Sequence, residues 1–229
     1  MRTALAMLLW LALVVSPAAG DEADARSGPP TWFAQTLTRG DGGLNVAYFW
    51  SKGPWLRSET VVAGHRIVTI VRGDWYWVYD VLDGSGLAIR REPAVVAADR
   101  PSGRPFGLEY ETLLDQGAEL VRKEELLGRA AGIYRITDGV GKRELWVTED
   151  ADRIPLRLEI YDRQSASQRT TDWINWQRDL SIPDAFFSPE TNAQLEEMDH
   201  AEYLRRSPEG DLPRVPVLYL RLLYKRTAD

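Results

Sequence analysis

Cysteine is absent from the 229-residue sequence, and histidine occurs only twice, at His65 and His200. Without thiols the chain has no disulfides, no thiolate nucleophile and no cysteine to carry a lipid anchor. Two histidines do not form a clustered metal site, and no Ser-His-Asp triad is indicated because a nucleophile elbow is missing. A glycine-rich phosphate-binding loop is missing too. The sequence therefore predicts a protein without catalysis, metal or cofactor.

Neighbouring carboxylates of the kind used in glycoside hydrolysis do occur, as three short-range pairs. These pairs are Glu109 and Glu111, Glu124 and Glu125, and Glu196 and Glu197. Each pair lies in a strongly charged context, which favours solvated surface positions over a catalytic centre. A hydrolase is therefore the weakest of the functional hypotheses.

Positive charge is not in excess, since 34 acidic residues stand against 28 basic ones, for a net charge of −6. This balance provides no electrostatic footprint for nucleic acid and no basic patch for anionic lipid headgroups. Tryptophan, by contrast, is abundant, with nine residues. Its large apolar ring suits both protein cores and binding surfaces.

Only one long apolar run is present, and it lies within residues 1–20. Arg2 precedes an apolar stretch over residues 4–15, Ser16-Pro17 interrupts it, and small residues follow at 18–20. This pattern predicts a secretory signal peptide, followed by a flexible leader over residues 21–31 and a single domain over residues 32–229. The mature protein is expected in the periplasm, without a membrane span after signal cleavage.

The stretch Arg66–Asp80 predicts a central hairpin. A two-residue loop with glycine first, Gly73-Asp74, suits a type II′ turn and places Ile70 opposite Trp77. One face then carries Val68, Ile70, Trp75, Trp77 and Tyr79, and the other carries Ile67, Thr69, Val71, Tyr76 and Val78. Both faces are largely apolar, so either both are covered by protein or one lines a cavity for an apolar ligand.

Similar short strands recur about every ten residues along most of the chain, with turn residues between them. We predict a mainly β (α+β) fold of roughly ten strands, all antiparallel because the connections are too short for crossovers. Residues 108–116 and, less clearly, 195–206 are predicted as helices, and residues 32–38 as a helix or a strand. Residues 215–225 are predicted as a last strand, with a short helix as the alternative.

Several segments of the chain resemble the periplasmic lipoprotein-carrier superfamily, meaning the LolA and LolB folds and the related outer-membrane lipoprotein-sorting proteins. The resemblance covers most of residues 32–190. It is carried by segments 53–59 (GPWLRSE), 73–80 (GDWYWVYD), 132–136 (GIYRI), 144–147 (ELWV), 154–161 (IPLRLEIY) and 183–189 (PDAFFSP). The long tail after Pro189 departs from the pattern expected of a minimal carrier.

The resemblance implies a curved antiparallel sheet that forms an incomplete β-barrel, with the helix over residues 108–116 as a lid. It also implies an apolar concavity that takes up lipoprotein acyl chains or another lipid, with an envelope protein as a possible further partner. The predicted ligand-binding residues are those of one hairpin face, a nearby arginine and the facing strands: Arg57, Val68, Ile70, Trp75, Trp77, Tyr79, Trp146, Leu156, Leu158 and Ile160.

Two alternatives to this lipid site stay open. The aromatic face of the hairpin is equally well explained as solid core, because aromatic stripes usually pack. Arg57 and Arg157 lie within apolar strands and are explained either as outward-facing charges or as groups at a cavity mouth. If the aromatic face is core, the same scaffold becomes a protein-interaction or envelope-sensing module.

Overall fold

The computed structural model of the chain describes residues 28–225, so the predicted signal peptide and most of the leader lie outside the described residues. The described chain forms one sheet of twelve strands. The first six are β1 (Thr31–Gly40), β2 (Gly43–Lys52), β3 (Trp55–Val62), β4 (His65–Arg72), β5 (Trp75–Asp80) and β6 (Ser85–Arg90). The others are β7 (Glu119–Leu126), β8 (Arg129–Thr137), β9 (Gly141–Thr148), β10 (Pro155–Asp162), β11 (Gln168–Arg178) and β12 (Gln194–Asp199).

Three short α-helices accompany the sheet within the described part of the chain. They are α1 (Pro93–Ala97), α2 (Glu109–Asp115) and α3 (His200–Arg206), with 3-10 turns at Asp184–Phe187, Ser207–Glu209 and Leu220–Leu222. The strand order is β12-β6-β5-β4-β3-β2-β1-β11-β10-β9-β8-β7, with β12 and β7 at the two ends. The predicted mainly β fold, an open and curved half-barrel with few helices, is confirmed.

The predicted central hairpin has the expected register. Ile70 pairs with Trp77, and Arg72 pairs with Trp75 across the turn. Gly73 has a φ of 56°, as the first turn position of a type II′ turn requires. Turn chemistry and β-branched residues close together in sequence were sufficient to determine this pairing.

The prediction that all strands are antiparallel is wrong at one edge. Residues 195–199, predicted as the start of a helix, belong to β12, which pairs in parallel with β6. The helix starts only at His200, where the Asp199 side chain accepts a hydrogen bond from the backbone N–H of Glu202 at 2.8 Å. Roughly a hundred residues separate the two strands in the sequence, which is ample for a crossover.

The strand predicted over residues 215–225 is also wrong. We call residues 212–225 the C-terminal segment, and it lies across the sheet without joining it. Tyr219 adopts a left-handed conformation with φ of 55°, which no extended strand contains. The tyrosine hydroxyl of Tyr76 donates to the carbonyl of Leu218, and the backbone N–H of Glu92 donates to the carbonyl of Leu223 at 2.9 Å.

The C-terminal segment defines the inner face of the sheet. Val215 and Leu223 pack there against Ile67, Tyr76 and Val78 in the largest hydrophobic cluster. The opposite, outer face of the same strands is covered by residues 180–195, which we call the outer segment. Both faces of the hairpin are therefore buried, which explains why both are apolar.

Candidate functional site

The inner face of the sheet has a cavity of about 340 Å³ in a region that neither of its two covering elements covers. On one side lies the C-terminal segment, and on the other lies α2, whose Leu113 packs against Leu145 and Val147 of β9. The cavity is lined by Thr36, Thr38, Asn45, Ala47, Phe49, Leu56, Pro105, Phe106, Gly107, Glu109, Leu158, Ile160, Arg169, Thr171, Trp173, Tyr219 and Arg221. We call this space the inner cavity.

A stack of aromatic rings fixes the wall of the inner cavity. The Phe49 ring lies 5.4 Å from that of Phe106 and 5.7 Å from that of Tyr219, between ring centroids. Phe106 in turn stacks on Trp176 at 5.7 Å. Such contacts join the sheet, the loop before α2 and the C-terminal segment into one rigid wall.

Gly107 permits the close approach of this loop to the sheet. Its φ is +66°, and a Cβ atom there would lie 2.7 Å from Cη2 of Trp176. Only glycine combines the left-handed conformation with the missing side chain. The loop therefore holds Phe106 and Glu109 at the cavity because residue 107 is glycine.

A second cavity of about 410 Å³ adjoins the first, towards the β1–β2 turn. The two cavities share Thr38, Asn45, Ile160 and Arg169 as lining residues. Arg169 is exposed, and no hydrogen bond or ion pair of its guanidinium is found among residues 28–225. The inner cavity thus has both apolar and polar walls and continues into a polar mouth, and its size is typical of small-molecule sites, about 300–1,000 Å³.

Glu109 places a carboxyl group in the wall of the inner cavity. Its Oε2 atom is buried and has no hydrogen-bond partner in the described part of the chain, although the residue as a whole is half-buried. Burial raises the pKa of Glu109, and a hydrogen bond from its own backbone N–H together with the nearby Arg221 and Arg104 opposes this shift only in part. The sequence-based prediction of a solvated face holds for Glu111, which is exposed, and is wrong for Glu109.

The structure places two of the ten predicted ligand residues, Leu158 and Ile160, at the inner cavity. The hairpin residues Val68, Ile70 and Tyr79 lie instead on the outer face, packed against Phe187. The remaining five are also away from the inner cavity. They are Arg57, Trp75, Trp77, Trp146 and Leu156.

Arg57 ties the outer segment to the sheet. It is 7% exposed, and its Nη1 atom donates to the carbonyl of Phe186 at 3.2 Å. Its Nε atom donates to Oε1 of Glu59 at 3.0 Å. Burial opposes ionisation of Glu59, but hydrogen bonds from Arg66 and Arg57 lower its pKa. Arg157 lies on the outer face as well, with its Nε atom 2.7 Å from Oδ1 of Asp172.

Trp75 and Trp77 stack on each other on the outer face, with ring centroids 6.2 Å apart. Trp146 and Leu156 belong to a separate outer cluster with Ile133, and Nε1 of Trp146 donates to Oε1 of Glu124 at 2.6 Å. The ten residues therefore do not line one common space. A lipid-binding role for them remains a prediction.

The residues that sequence reasoning missed are Phe49, Phe106, Glu109, Trp173 and Tyr219, which all line the inner cavity. Phe49 and Trp173 belong to predicted strands, but the sequence did not show which face of the sheet their side chains occupy. Phe106 and Tyr219 lie outside the strands, and no local pattern indicates that they meet across the sheet.

Among residues 28–225, no group of three or more acidic or histidine side chains is arranged to hold a metal ion. Within the same range, no helix has the length and apolar character needed to cross a membrane.

Comparison with known proteins gives a likeness of fold. No protein-family model matches the chain, and no curated protein matches it. Among solved structures, an uncharacterized conserved protein from Thermus thermophilus is 16% identical with a TM-score of 0.53, covering 75% of this chain and 92% of that one.

Two further structures resemble the chain at lower scores. A putative outer membrane lipoprotein-sorting protein domain from Vibrio parahaemolyticus is 12% identical over 72% of this chain and 92% of its own, with a TM-score of 0.34. A chain of the MucA/MucB complex structure of Pseudomonas aeruginosa is 12% identical with a TM-score of 0.43, and the match spans 74% of this chain and 59% of that one. The matches include the class of protein that the sequence resembles, and at these identities the likeness concerns the fold alone.

Proposed function

We propose that this chain binds the acyl chains of a lipid or lipoprotein in its inner cavity and that it does so without catalysing a reaction. The observation that carries the proposal is a cavity between two covering elements, in which Phe49, Leu56, Leu158 and Trp173 provide apolar wall beside polar residues. Acyl chains need apolar area and few polar partners, because burial stabilises by roughly 0.8 kcal/mol per methylene. A site of this kind requires no catalytic motif.

The proposal includes export to the periplasm through a signal peptide at residues 1–20, followed by a leader and one domain over residues 32–229. Its support is the sequence pattern of a charged start, an apolar run and small residues. The mass of the protein isolated from an expressing bacterium tests this part. A mass that includes residues 1–20 would contradict it.

Adjacent residues of β2 provide a test of the binding site. Ala47 is buried and lines the inner cavity, whereas Tyr48 faces outwards. In Ala47→Leu the added carbons enter the cavity, so we expect the affinity for the uncharged apolar probe N-phenyl-1-naphthylamine to fall about tenfold, equal to roughly 1.4 kcal/mol. Tyr48→Ala is the matched control and should retain affinity. Fluorescence titration of both variants and the wild type measures the effect.

A wild-type protein that binds neither this probe nor a lipid extract would contradict the proposed function. Loss of affinity in Tyr48→Ala and not in Ala47→Leu would move the site to the outer face. Thermal melting of both variants establishes that each is folded.

The outer face favours a second candidate function, a protein-interaction module. An open groove of about 570 Å³ runs between β1, β2 and the outer segment, lined mainly by apolar and aromatic side chains. Its principal walls are Phe33, Tyr48, Trp50, Ile182 and Phe186. Aromatic residues of this kind are enriched at protein interfaces. Crosslinking of the intact protein in cells, compared with Tyr48→Ala, discriminates the two functions by whether a stoichiometric protein partner is lost.

A further inference from the structure

The carboxyl group of Glu109 is the only acidic group among the residues that line the inner cavity. Glu109 lines the inner cavity beside Phe106 and Arg221, and its Oε2 atom is buried without a hydrogen-bond donor among the described residues. Buried polar side-chain atoms almost always have a partner, in the protein or in a bound molecule. A ligand hydroxyl in the inner cavity is one way to supply a donor to this carboxyl group.

The cavity side is accessible to this carboxyl group by a small motion. The terminal torsion of a glutamate side chain is broad, so rotation exchanges its two oxygens at little cost. Glu109 lies at the start of α2, directly after the loop that Gly107 fixes against Trp176. The backbone is thus held in place, and rotation of the carboxyl group would bring one of its oxygens towards a ligand in the cavity.

The charges around Glu109 restrict which donor fits. Arg104 and Arg221 both act on the carboxyl group, and Arg169 lines the same cavity. A cationic ligand group would meet the guanidinium groups of Arg169 and Arg221 in the cavity lining, and an anionic group placed at Glu109 would meet the carboxyl group itself. A neutral hydroxyl avoids both conflicts, because it donates a hydrogen bond to a carboxyl oxygen without adding charge.

We propose that Glu109 recognises the hydroxyl group of a neutral, hydroxylated amphiphile whose acyl chain lies along Phe49, Leu158 and Trp173. This inference rests on the proposed function and specifies the chemical class of ligand for the same cavity. The apolar chain supplies affinity through burial, and Glu109 supplies the preference for a hydroxylated head.

Competition between matched ligands tests the proposal. The probes are 1-monodecanoylglycerol, methyl decanoate and decylamine, each displacing N-phenyl-1-naphthylamine. The proteins are the wild type, Glu109→Met, Glu109→Gln and the control Glu111→Met, whose site is exposed on the same helix. We expect the wild type and Glu111→Met to bind the monoglyceride about tenfold more tightly than the methyl ester. In Glu109→Met this preference should vanish while methyl ester binding is retained, and Glu109→Gln should keep part of it through its amide oxygen.

Each contrary result has a separate meaning. An equal preference for the monoglyceride in the wild type, Glu109→Met and Glu109→Gln overturns the role of Glu109 and leaves the proposed function standing. Decylamine binding that exceeds monoglyceride binding and is lost in Glu109→Met overturns the hydroxyl assignment in favour of a cationic group. Failure of every probe to bind the wild type overturns the proposed function and this inference together.

Discussion

The two halves of the sheet are covered in different ways. Strands β3–β6 are buried on both faces, by the C-terminal segment inside and the outer segment outside. Strands β8–β10 carry α2 on the inner face, while β7 at the edge is exposed along nearly its whole length. Between the halves, the inner residues of β1, β2, β10 and β11 are left without a complete cover, and the inner cavity lies there.

The difference teaches that the cavity results from an incomplete fit between two separate covering elements. The first half resembles a closed protein core, with Tyr76 and Ile89 fully buried. The second half stabilises its outer face with ion pairs, such as Arg135 to Glu144 at 2.6 Å. Matched substitutions in the two halves should therefore change stability by different amounts, and they can be ordered by expected effect.

The largest difference in stability loss is expected between two buried leucines, one in each element that covers the inner face. Leu223 of the C-terminal segment is fully buried, and Leu113 of α2 is 5% exposed in a smaller cluster. We expect Leu223→Ala to lower the free energy of unfolding by about 4 kcal/mol and Leu113→Ala by about 2 kcal/mol, because a confined cavity relaxes less. Urea unfolding measures both values. A larger loss of unfolding free energy for Leu113→Ala than for Leu223→Ala would contradict the view that the first half is the more tightly packed.

Ion pairs should show the same contrast at a smaller scale. Arg57 is buried between Glu59 and the outer segment, whereas Lys123 of β7 forms a surface pair with Glu149 at 2.5 Å. Arg57→Met leaves Glu59 with Arg66 alone, so we expect a loss of about 2–3 kcal/mol. Lys123→Met should cost less than about 1 kcal/mol, since exposed pairs contribute little. Equal losses in chemical denaturation would show that coverage by the outer segment has no effect on the Arg57 pair.

The boundary between the halves depends on Gly107. Alanine there has to adopt a positive φ and displace Trp176, so we expect Gly107→Ala to cost about 2–3 kcal/mol. Gly117, just after α2, has a φ of +87° but open space around its Cα, so Gly117→Ala should cost only about 1 kcal/mol. Differential scanning calorimetry gives the two melting temperatures. Equal melting temperatures for the two variants would show that the close approach to Trp176 does not require glycine at residue 107.

The smallest effect concerns pH. The pKa of Glu109 is raised in the folded protein, so the folded state retains its proton longer than the unfolded state as the pH rises. The stability contributed by this group is therefore present below the ordinary glutamate pKa and is lost as the pH rises through the raised value. The groups that face it are Arg104, Glu111 and Arg221, with Arg169 in the same cavity.

Glu109→Gln should consequently be more stable than the wild type at pH 8 by about 1 kcal/mol and should lose this advantage near pH 4. Glu111→Gln, at an exposed position, should follow the wild type at both values. Thermal unfolding at the two pH values makes the measurement. An advantage for Glu109→Gln that is the same at both would contradict the burial of an ionisable carboxyl group.

Local features of the sequence predicted most of the strands and the hairpin register. Gly73-Asp74 sets the turn, and the β-branched and aromatic residues around it set the pairing, all within fifteen residues. The helix α2 was predicted from leucine spacing with Gly117 at its end. These elements depend on neighbours in the chain, which a single sequence displays.

The face of the hairpin could not be predicted in this way. Ile70 and Tyr76 lie on opposite faces, and both are fully buried, so hydrophobic patterning did not show which face is concave. That choice depends on the C-terminal and outer segments, which arrive from more than 100 residues away and have no strand or helix pattern. Glu109 and Glu111 were equally indistinguishable, because their difference arises from the loop fixed by Gly107.

The long reach of the C-terminal segment has a consequence for how the molecule acquires its structure. Tyr76 and Leu218, joined by a hydrogen bond, are 142 residues apart in the chain. Contacts of such separation form late and slow the folding of a domain. Strands β3–β6 can pair soon after they emerge, but their inner surface stays uncovered until residues 215–223 arrive. An incomplete chain would expose this apolar surface. Correct folding would therefore require that synthesis is complete and that a chaperone protects the surface until then.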